Sequence, residues 1–569
     1  MRKTISQTYV ILLFLFIMIG KKSYSNNGNV NFIATELLGR PTNKSVTVNA
    51  IADTDLEVFF EYGIESGVFT NQTDTTMFPA REPIEITIDE LQPNTRYYYR
   101  MGYRQPGEAE FISRSEHSFH TQRPHGSTFK FAIQADSHLY DKKCTPALYR
   151  VALQNILDDA PDFLIDLGDT FGDDHDTTIS YEAMLQLHLD QRFFFDAVCH
   201  SVPLFLCLGN HEAECGAYLD GTAENIAIYA TKARKIYYSN PSPDSFYPGN
   251  TAVEDFIRLP ENYYSWEWGD ALFVVLDAYR YLTASQKPRE WDWTLGEQQY
   301  HWFKETLEGS QAKFKFVFIH HVLGQTRGGV LWADKFEWGG YNQKGTWEFG
   351  TQRPGWGKPI HQLIVDNGVT IFFQGHDHLF AKEDLDGIVY QECPMPSDAT
   401  YNVGSENEDA YPSAIIYKNS GHLRVTVSDK EVTVDYIRAY LPQDETSEHP
   451  NGEVVHSYTI KAVNTSVPAK KSLNNLPKIF KLNQNFPNPF NPTTQITFQI
   501  PDQEQVTLKI YNAVGQRIRT IVDNNLEAGE YSLPWDGLND HFQQVSSGIY
   551  FFELKASDYR ELKKAIFLQ

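Results

Sequence analysis

Phe129-Lys130-Phe131-Ala132-Ile133-Gln134-Ala135-Asp136-Ser137-His138 is an apolar strand that runs directly into a D-x-H turn, and the fold is read outward from it. The layout recurs downstream. Phe163–Ile165 precedes Gly168-Asp169, and Pro203–Cys207 precedes Gly209-Asn210-His211-Glu212. Phe314–Ile319 precedes His320-His321, and Val369–Phe373 precedes Gly375-His376-Asp377-His378. Ala271–Leu276 is a further apolar strand, and Pro146–Ala160, Gly296–Leu307 and Pro359–Asn367 read as helices. Strands interleaved with helices predict a layered α/β domain, placed here at residues 127–461. Ligands of such domains gather at the carboxyl ends of strands. Each polar segment holds that position, so the strand ends of one sheet edge are expected to bring Asp, Asn and His together.

That mixture suits metals. Neutral imidazole and carboxylate oxygen bind Zn²⁺, Mn²⁺ or iron without thiolates. In extended chain, residues two apart face one side, so Asp136/His138 and His376/His378 are each expected to converge. A carboxylate such as Asp169 suits a bridge between two cations about 3.5–4 Å apart. Such a pair polarises a phosphoryl group and generates hydroxide near neutral pH.

The order D-x-H, G-D, G-N-H-E, H-H and G-H-D-H resembles the calcineurin-like metallophosphoesterase superfamily. The resemblance implies one metal on Asp136, His138, Asp169 and His378, and a second on Asp169, Asn210, His320 and His376. It implies that His211 stabilises the transition state or protonates the leaving group, and that the metals are two divalent or trivalent ions of Fe, Mn or Zn. Phosphate mono- or diesters would be the substrates. A β-domain followed by this domain also resembles the purple acid phosphatase layout, with two departures. Those enzymes carry a ligand tyrosine where Gly172 stands, and no ligand histidine at the position of His138.

Three further features bear on the site. Asp173, Asp174, His175 and Asp176 read as a solvated acidic loop, and Glu212 as a supporting carboxylate rather than a ligand. His321 is either a substrate contact or a packing residue. Between His321 and Pro359 lies an insertion with nine glycines, four tryptophans (Trp332, Trp338, Trp347 and Trp356), Arg327 and Arg353. It is expected to pin itself down with the tryptophans and to offer the arginines to phosphate.

The flanks are β-like. Within residues 28–123, Leu56, Val58, Phe60 and Tyr62 alternate, and Leu91–Arg100 resembles the tyrosine-corner region of a fibronectin type III β-sandwich. Residues 462–480 read as a linker. Residues 481–569 carry Asn485-Phe486-Pro487-Asn488-Pro489-Phe490, Asn512-Ala513-Val514-Gly515, Trp535-Asp536-Gly537 and Ser547-Gly548-Ile549-Tyr550. That run resembles the β-sandwich sorting domain of the type IX secretion system, which implies that machinery as a partner and delivery to the cell surface or beyond. The fold class is therefore multidomain: two β-sandwiches around an α/β metallophosphoesterase core.

Residues 1–25 read as a signal peptide, with Arg2 and Lys3 before the apolar run from Tyr9 to Ile19. That run is short for the roughly 30 Å of a bilayer core, and no later segment approaches spanning length. Removing four positive and no negative charges takes the net charge from −24 to −28. So acidic a surface argues against nucleic-acid binding, although bound metals reverse the field locally. Five cysteines without paired spacings form neither a disulfide framework nor a metal site. A surface adhesion protein with an inactive phosphoesterase domain is the competing reading. It predicts a missing ligand, and none is missing.

Overall fold

The structure is a computed structural model that describes residues 30–171, 177–283, 288–322, 327–403, 405–462, 479–491, 494–526, 528–535, 537–539, 544–557 and 559–568. The signal peptide, Gly172, the acidic segment Asp173–Asp176 and most of the linker lie outside the described residues. The chain divides into two compact units, Met1–Glu383 with Val389–Ile460, and Asp384–Ile388 with Lys461–Gln569.

The first unit is mixed α/β and contains two large sheets. One runs, in spatial order, Val454–Lys461, Glu431–Arg438, Gly421–Val427, Phe129–Gln134, Leu164–Asp166, Leu204–Leu206, Phe32–Gly39, Val46–Ala52 and Pro83–Ile88. The other runs Tyr264–Trp268, Ala271–Val275, Phe314–Phe318, Ile371–Gln374, Ile388–Glu392, Phe380–Leu385 and Ile415–Tyr417. The central strands of both are parallel and buried along their whole length, which is why they read as unbroken apolar runs. Aromatic rings from the two sheets meet: Phe131 packs edge-on to Phe273 at 5.1 Å and against Phe316 at 5.6 Å.

Helices flank the strands. Pro146–Asp159 opens on proline at its first turn and ends at Ala160 in the left-handed region. Tyr181–Phe195 and Ile226–Tyr237 are helices beyond those expected from periodicity, and both carry caps. Ser180 accepts from Ala183 N at 3.2 Å, and Asn225 accepts from Ile228 N at 3.0 Å.

The N-terminal β region does not close on itself alone. Its own core joins Leu38, Val48, Val58, Phe60, Tyr99 and Phe119. However, Gly39 pairs in parallel with Leu204, so three of its strands continue the central sheet. Arg192 is fully buried where the regions meet. It donates to Asn49 Oδ1 and Asn49 O at 2.9 and 2.8 Å, to Thr35 O, Tyr237 O and its own helix's Asp196.

The second unit is all-β over its described residues. Lys481–Leu482, Thr494–Ile500 and Gly529–Trp535 form one sheet, and Arg517–Leu526, Glu504–Asn512, Gly548–Ala556 and Tyr559–Phe567 another. Both contribute to one core that includes Leu482, Phe498, Leu508, Trp535, Phe552 and Phe567. No described helix is long and apolar enough to cross a membrane. All five cysteines are free.

Candidate metal centre

The motif residues meet at the ends of strands drawn from both sheets, not from one sheet edge as the strand count suggested. Asp136, His138, Asp169 and Asn210 come from the nine-stranded sheet, and His320, His376 and His378 from the seven-stranded one. The mechanism of convergence also differs from the expected extended alternation. Asp136, His138, Asp169, His376 and His378 have φ of +60°, +45°, +57°, +81° and +57°. Left-handed backbone turns each side chain inward at a conformational cost of about 1–3 kcal/mol per residue. Such strain persists only where the surroundings over-determine it.

The motif glycines supply part of that surrounding. A Cβ on Gly209 would lie 2.3 Å from Asp169 Oδ1, and one on Gly375 would lie 2.8 Å from Asp136 Oδ2. Carboxylate and backbone occupy the space that any side chain would need.

Two clusters result, with Asp169 close to both. In the first, His138 Nε2 and His378 Nε2 face each other at 2.9 Å, and each lies 3.5 Å from Asp136 Oδ1. Asp169 Oδ2 is 3.6 Å from the same His138 nitrogen. In the second, His320 Nε2 lies 3.1 Å from Asp169 Oδ2 and 3.1 Å from His376 Nδ1. His320 Nδ1 donates to Leu167 O at 2.9 Å, which leaves Nε2 as the nitrogen aimed at the centre. Asn210 Oδ1 accepts from Tyr279 Oη at 3.3 Å.

The arrangement suits cations. Asp136 Oδ1 is buried without a hydrogen-bond partner, which is costly for a carboxylate oxygen unless a positive charge meets it. A tetrahedral ion with ligand distances of about 2.0–2.2 Å separates its ligands by roughly 3.3–3.6 Å. The two 3.5 Å spacings to Asp136 Oδ1 fall in that range, and the 2.9 Å between His138 and His378 falls short of it. Triads of Asp136/His138/His378, His138/Asp169/His211 and Asp169/His320/His376 each bring three donor atoms within 4.8 Å.

The electrostatics agree. Burial opposes the ionisation of Asp136, but His138 and His378 outweigh it and hold the carboxyl well below its usual range. Burial likewise opposes charge on Asp169, and His320, His211 and His138 outweigh it. For His320, burial is overcome by Asp169, which drives the imidazole up to about 10. Burial together with His321 and His320 pushes His376 well down, and burial chiefly lowers His378. The site is thus rich in negative charge and imidazole held close together.

Supporting groups lie behind these residues. Glu212 accepts from Gly209 N at 2.6 Å, Asp169 N at 2.9 Å and Thr170 N at 2.8 Å, so it fixes the backbone that carries Asp169. Asp166 and Tyr279 are additional to the sequence motifs, and Asp377 stands within one but has no role assigned from sequence. Asp166 accepts from Gly168 N at 2.9 Å, and burial raises its carboxyl to about 8. Asp377, between the two histidines of its motif, accepts from Gly328 N at 2.7 Å and Arg327 Nη1 at 3.1 Å. Only the D-L-G-D spacing of Asp166 offered any local signal.

The remaining sequence candidates fall in different places. His211 Nε2 is 3.9 Å from Asp169 Oδ2, and its ring meets His138 edge-on at 4.8 Å. His321 is buried, packs against Trp293 at 4.7 Å and His376 at 4.8 Å, and burial with His320 lowers it to about 3. Arg327 stays partly exposed beside Asp377. Arg353 ties the insertion down, with Nε on Glu337 and Nη2 on the carbonyls of Trp291 and Trp293 at 2.6 and 3.0 Å. Trp338 and Trp356 are buried pins, whereas Trp347 is exposed.

A match to the sequence model of the calcineurin-like phosphoesterase family spans residues 129–380, so the chain carries a domain of that class. Residues 485–559 match the FlgD Ig-like domain. The fold is similar to that of PhoD, with a TM-score of 0.55 and 13% identity over 76% of this chain and 90% of that one. It is also similar to purple acid phosphatase PPD1 from yellow lupin (Lupinus luteus) seeds, with a TM-score of 0.50 and 16% identity over 75% and 74% of the two chains. At these identities the likeness is one of fold. A search of curated proteins gave no significant match. Domain match, fold and donor clusters together support a metal-dependent hydrolase of phosphoester bonds.

Proposed function

We propose that the protein is an exported phosphoesterase that hydrolyses phosphate mono- or diesters at a two-metal centre. The observation that carries this reading is Asp169, whose Oδ2 lies within 3.6 Å of His138 and 3.1 Å of His320, one from each cluster. Asp136, His138, Asp169 and His378 would hold one metal, and Asp169, Asn210, His320 and His376 the other. Two such ions would polarise the phosphoryl group and supply the attacking oxygen at neutral pH.

The chain's own residues do the rest. Glu212 holds the Asp169 backbone, and Tyr279 orients the Asn210 amide. His211, half-buried and adjacent to Asn210, presents Nε2 toward the site, where a proton on it would neutralise charge on the departing oxygen. Arg327 offers a guanidinium beside the His376–His378 segment.

For export, we read residues 1–25 as a signal peptide and 481–569 as a type IX sorting domain. The Ig-like match over 485–559 supports a β-domain there. We read residues 28–123 as fibronectin-III-like, on the bond from Gln92 N to Tyr97 Oη at 2.9 Å.

The test couples metal analysis to a hydrolysis screen of mono- and diesters on one preparation. Wild type should hold close to two transition metals per chain. Asp169→Ala should lose both tight metal binding and activity. Unchanged metal content in that variant would sink the two-metal assignment.

A further inference from the structure

Two consecutive backbone amides of the G-H-D-H segment end on carboxylates. His376 N donates to Asp136 Oδ2 at 2.8 Å, and Asp377 N donates to Glu392 Oε1 at 3.0 Å. Asp136 is itself one of the clustered donors and comes from the nine-stranded sheet. Glu392 is in none of the three triads. It ends the strand Ile388–Glu392 and sits in register with Gln374, the last residue of the strand that leads into the segment. The backbone between the two histidine side chains is therefore clamped from both sheets.

Asp377 extends the clamp through its side chain. Its Oδ2 accepts from Gly328 N at 2.7 Å and lies 2.9 Å from Tyr411 Oη, and its carbonyl accepts from Asn407 Nδ2. Tyr411 Oη also lies 3.1 Å from Glu392 Oε2 and accepts from Gln374 Nε2 at 2.8 Å. Glu392, Asp377 and Tyr411 thus close a ring of three buried side chains. Both Glu392 oxygens meet an amide or a hydroxyl rather than a cation. Burying a carboxylate on such terms is costly, and a leucine would fill the space without that penalty. What the carboxylate supplies is orientation. His376 and His378 hold φ of +81° and +57° on either side of Asp377, and such backbone persists only where its surroundings over-determine it.

We propose that Glu392 is a positioning residue for the ligand pair His376 and His378. By holding the Asp377 amide directly, and the Asp377 carboxylate through Tyr411, it fixes the turn from which both imidazoles project. The proposal rests on the two-metal reading and adds to it a residue that lies outside every motif. Partners that orient metal ligands typically change metal affinity about 10–100-fold when they are removed.

Full-length protein stripped of metal is titrated with Co²⁺, whose visible absorption reports coordination geometry. Glu392→Leu should weaken Co²⁺ binding about tenfold or more and alter that absorption. Glu392→Gln keeps an oxygen for the Asp377 amide and should stay within about threefold of wild type. A residue that only fills the core would lower the urea midpoint and leave the absorption of the folded protein unchanged. Wild-type affinity and absorption in Glu392→Leu would overturn the proposal, and so would equal losses in the leucine and glutamine variants. Should Glu392→Leu be insoluble, Tyr411→Phe decides, because it cuts the hydroxyl link and keeps the ring. Weaker Co²⁺ binding with altered absorption then upholds the proposal, and wild-type values overturn it. Ester hydrolysis measured on the same samples separates the two readings. Co²⁺ binding that the variants weaken, in a protein that hydrolyses no ester, upholds the positioning role and sinks the phosphoesterase reading. Hydrolysis by wild type with unaltered variants does the reverse.

Discussion

Strand Phe32–Gly39 of the N-terminal β region pairs with Leu204 of the central sheet, whereas every described strand from Lys481 to Phe567 pairs only within its own region. The two regions have similar sequence texture, with alternating apolar positions, aromatic residues and turn glycines. What separates them is a register contact and a buried arginine. In the N-terminal region, Leu38 N donates to Cys199 O at 2.9 Å and Tyr99 Oη to His200 O at 2.8 Å, beside the Arg192 hub. The C-terminal unit closes on Phe490, Trp535 and Phe567, whose rings meet at 5.0–5.2 Å. A β-region that looks modular can therefore be an extension of its neighbour's sheet.

Removing residues 30–123 puts the largest load on that contrast. The strand carrying Asn210 and His211 onward would become an open edge, and Arg192 would lose its acceptors on Thr35 and Asn49. Exposed edges invite aggregation. The remaining chain is expected to be insoluble or unfolded. A soluble fragment that unfolds cooperatively and hydrolyses esters would show that the N-terminal region is a module after all.

His211→Ala acts at the chemistry that the shared sheet supports. The strand Leu204–Leu206 that pairs with the N-terminal region leads directly to Gly209-Asn210-His211. Loss of a general acid typically costs about 10²–10⁴-fold. The variant should keep its metals and lose kcat on alkyl esters, and lose least on aryl esters, which depart without a proton. Equal losses would assign His211 electrostatic stabilisation alone, and full activity would remove it from the mechanism.

Arg192→Met tests the weld itself. Breaking a buried ion pair by removing one partner costs about 3–5 kcal/mol, because the other charge stays buried. Here Asp196 would be left in that state. Urea unfolding should show that loss in the first unit and none in the C-terminal unit. An unchanged midpoint would mean that the regions are joined by the sheet alone.

The motif segments were legible because each is local: a strand, in three of the five a glycine, then donors within four residues. Strand and helix cores were also legible, with boundaries shifted by one or two residues, as in Phe129–Gln134 and Ile360–Asp366. The Gly39–Leu204 pairing was not, since it joins residues with no shared local pattern. Nor was the left-handed backbone at five ligand positions, which tertiary contacts impose against intrinsic preference. Tyr279 acts through a bond to an amide and has no sequence spacing to betray it, whereas Glu212 closes the G-N-H-E segment and Asp166 shows only its D-L-G-D spacing.

A smaller difference should appear with pH. Burial lowers His188 to about 4, against an unfolded value near 6.5. Between those values the unfolded chain binds the extra proton, so stability rises with pH and is lost as pH falls from 6.5 toward 4. The contribution is fully present above 6.5 and amounts to about 1–3 kcal/mol. His188→Gln should flatten that slope in the first unit. The C-terminal unit holds one histidine, His541, outside the described residues, and its slope should be the same in wild type and variant. Identical slopes in wild type and variant would assign the acid sensitivity to other groups.

Truncation before Leu482 should have the smallest effect on catalysis, which makes it the sharpest test of the contrast. Every hydrogen bond that holds Asp136, Asp169, His320 and His376 comes from within the first unit. The C-terminal core, in turn, is built from its own two sheets. Removing residues 482–569 is therefore expected to leave kcat, KM and metal content of the first unit unchanged. Delivery is a separate matter: under the sorting proposal the same truncation should strand active enzyme in the periplasm. Two fractions assayed for phosphoesterase activity decide both points. Activity lost from all fractions would show that the catalytic unit depends on the tail for folding. Full activity at the cell surface would leave the regions independent but take the sorting role away from residues 481–569.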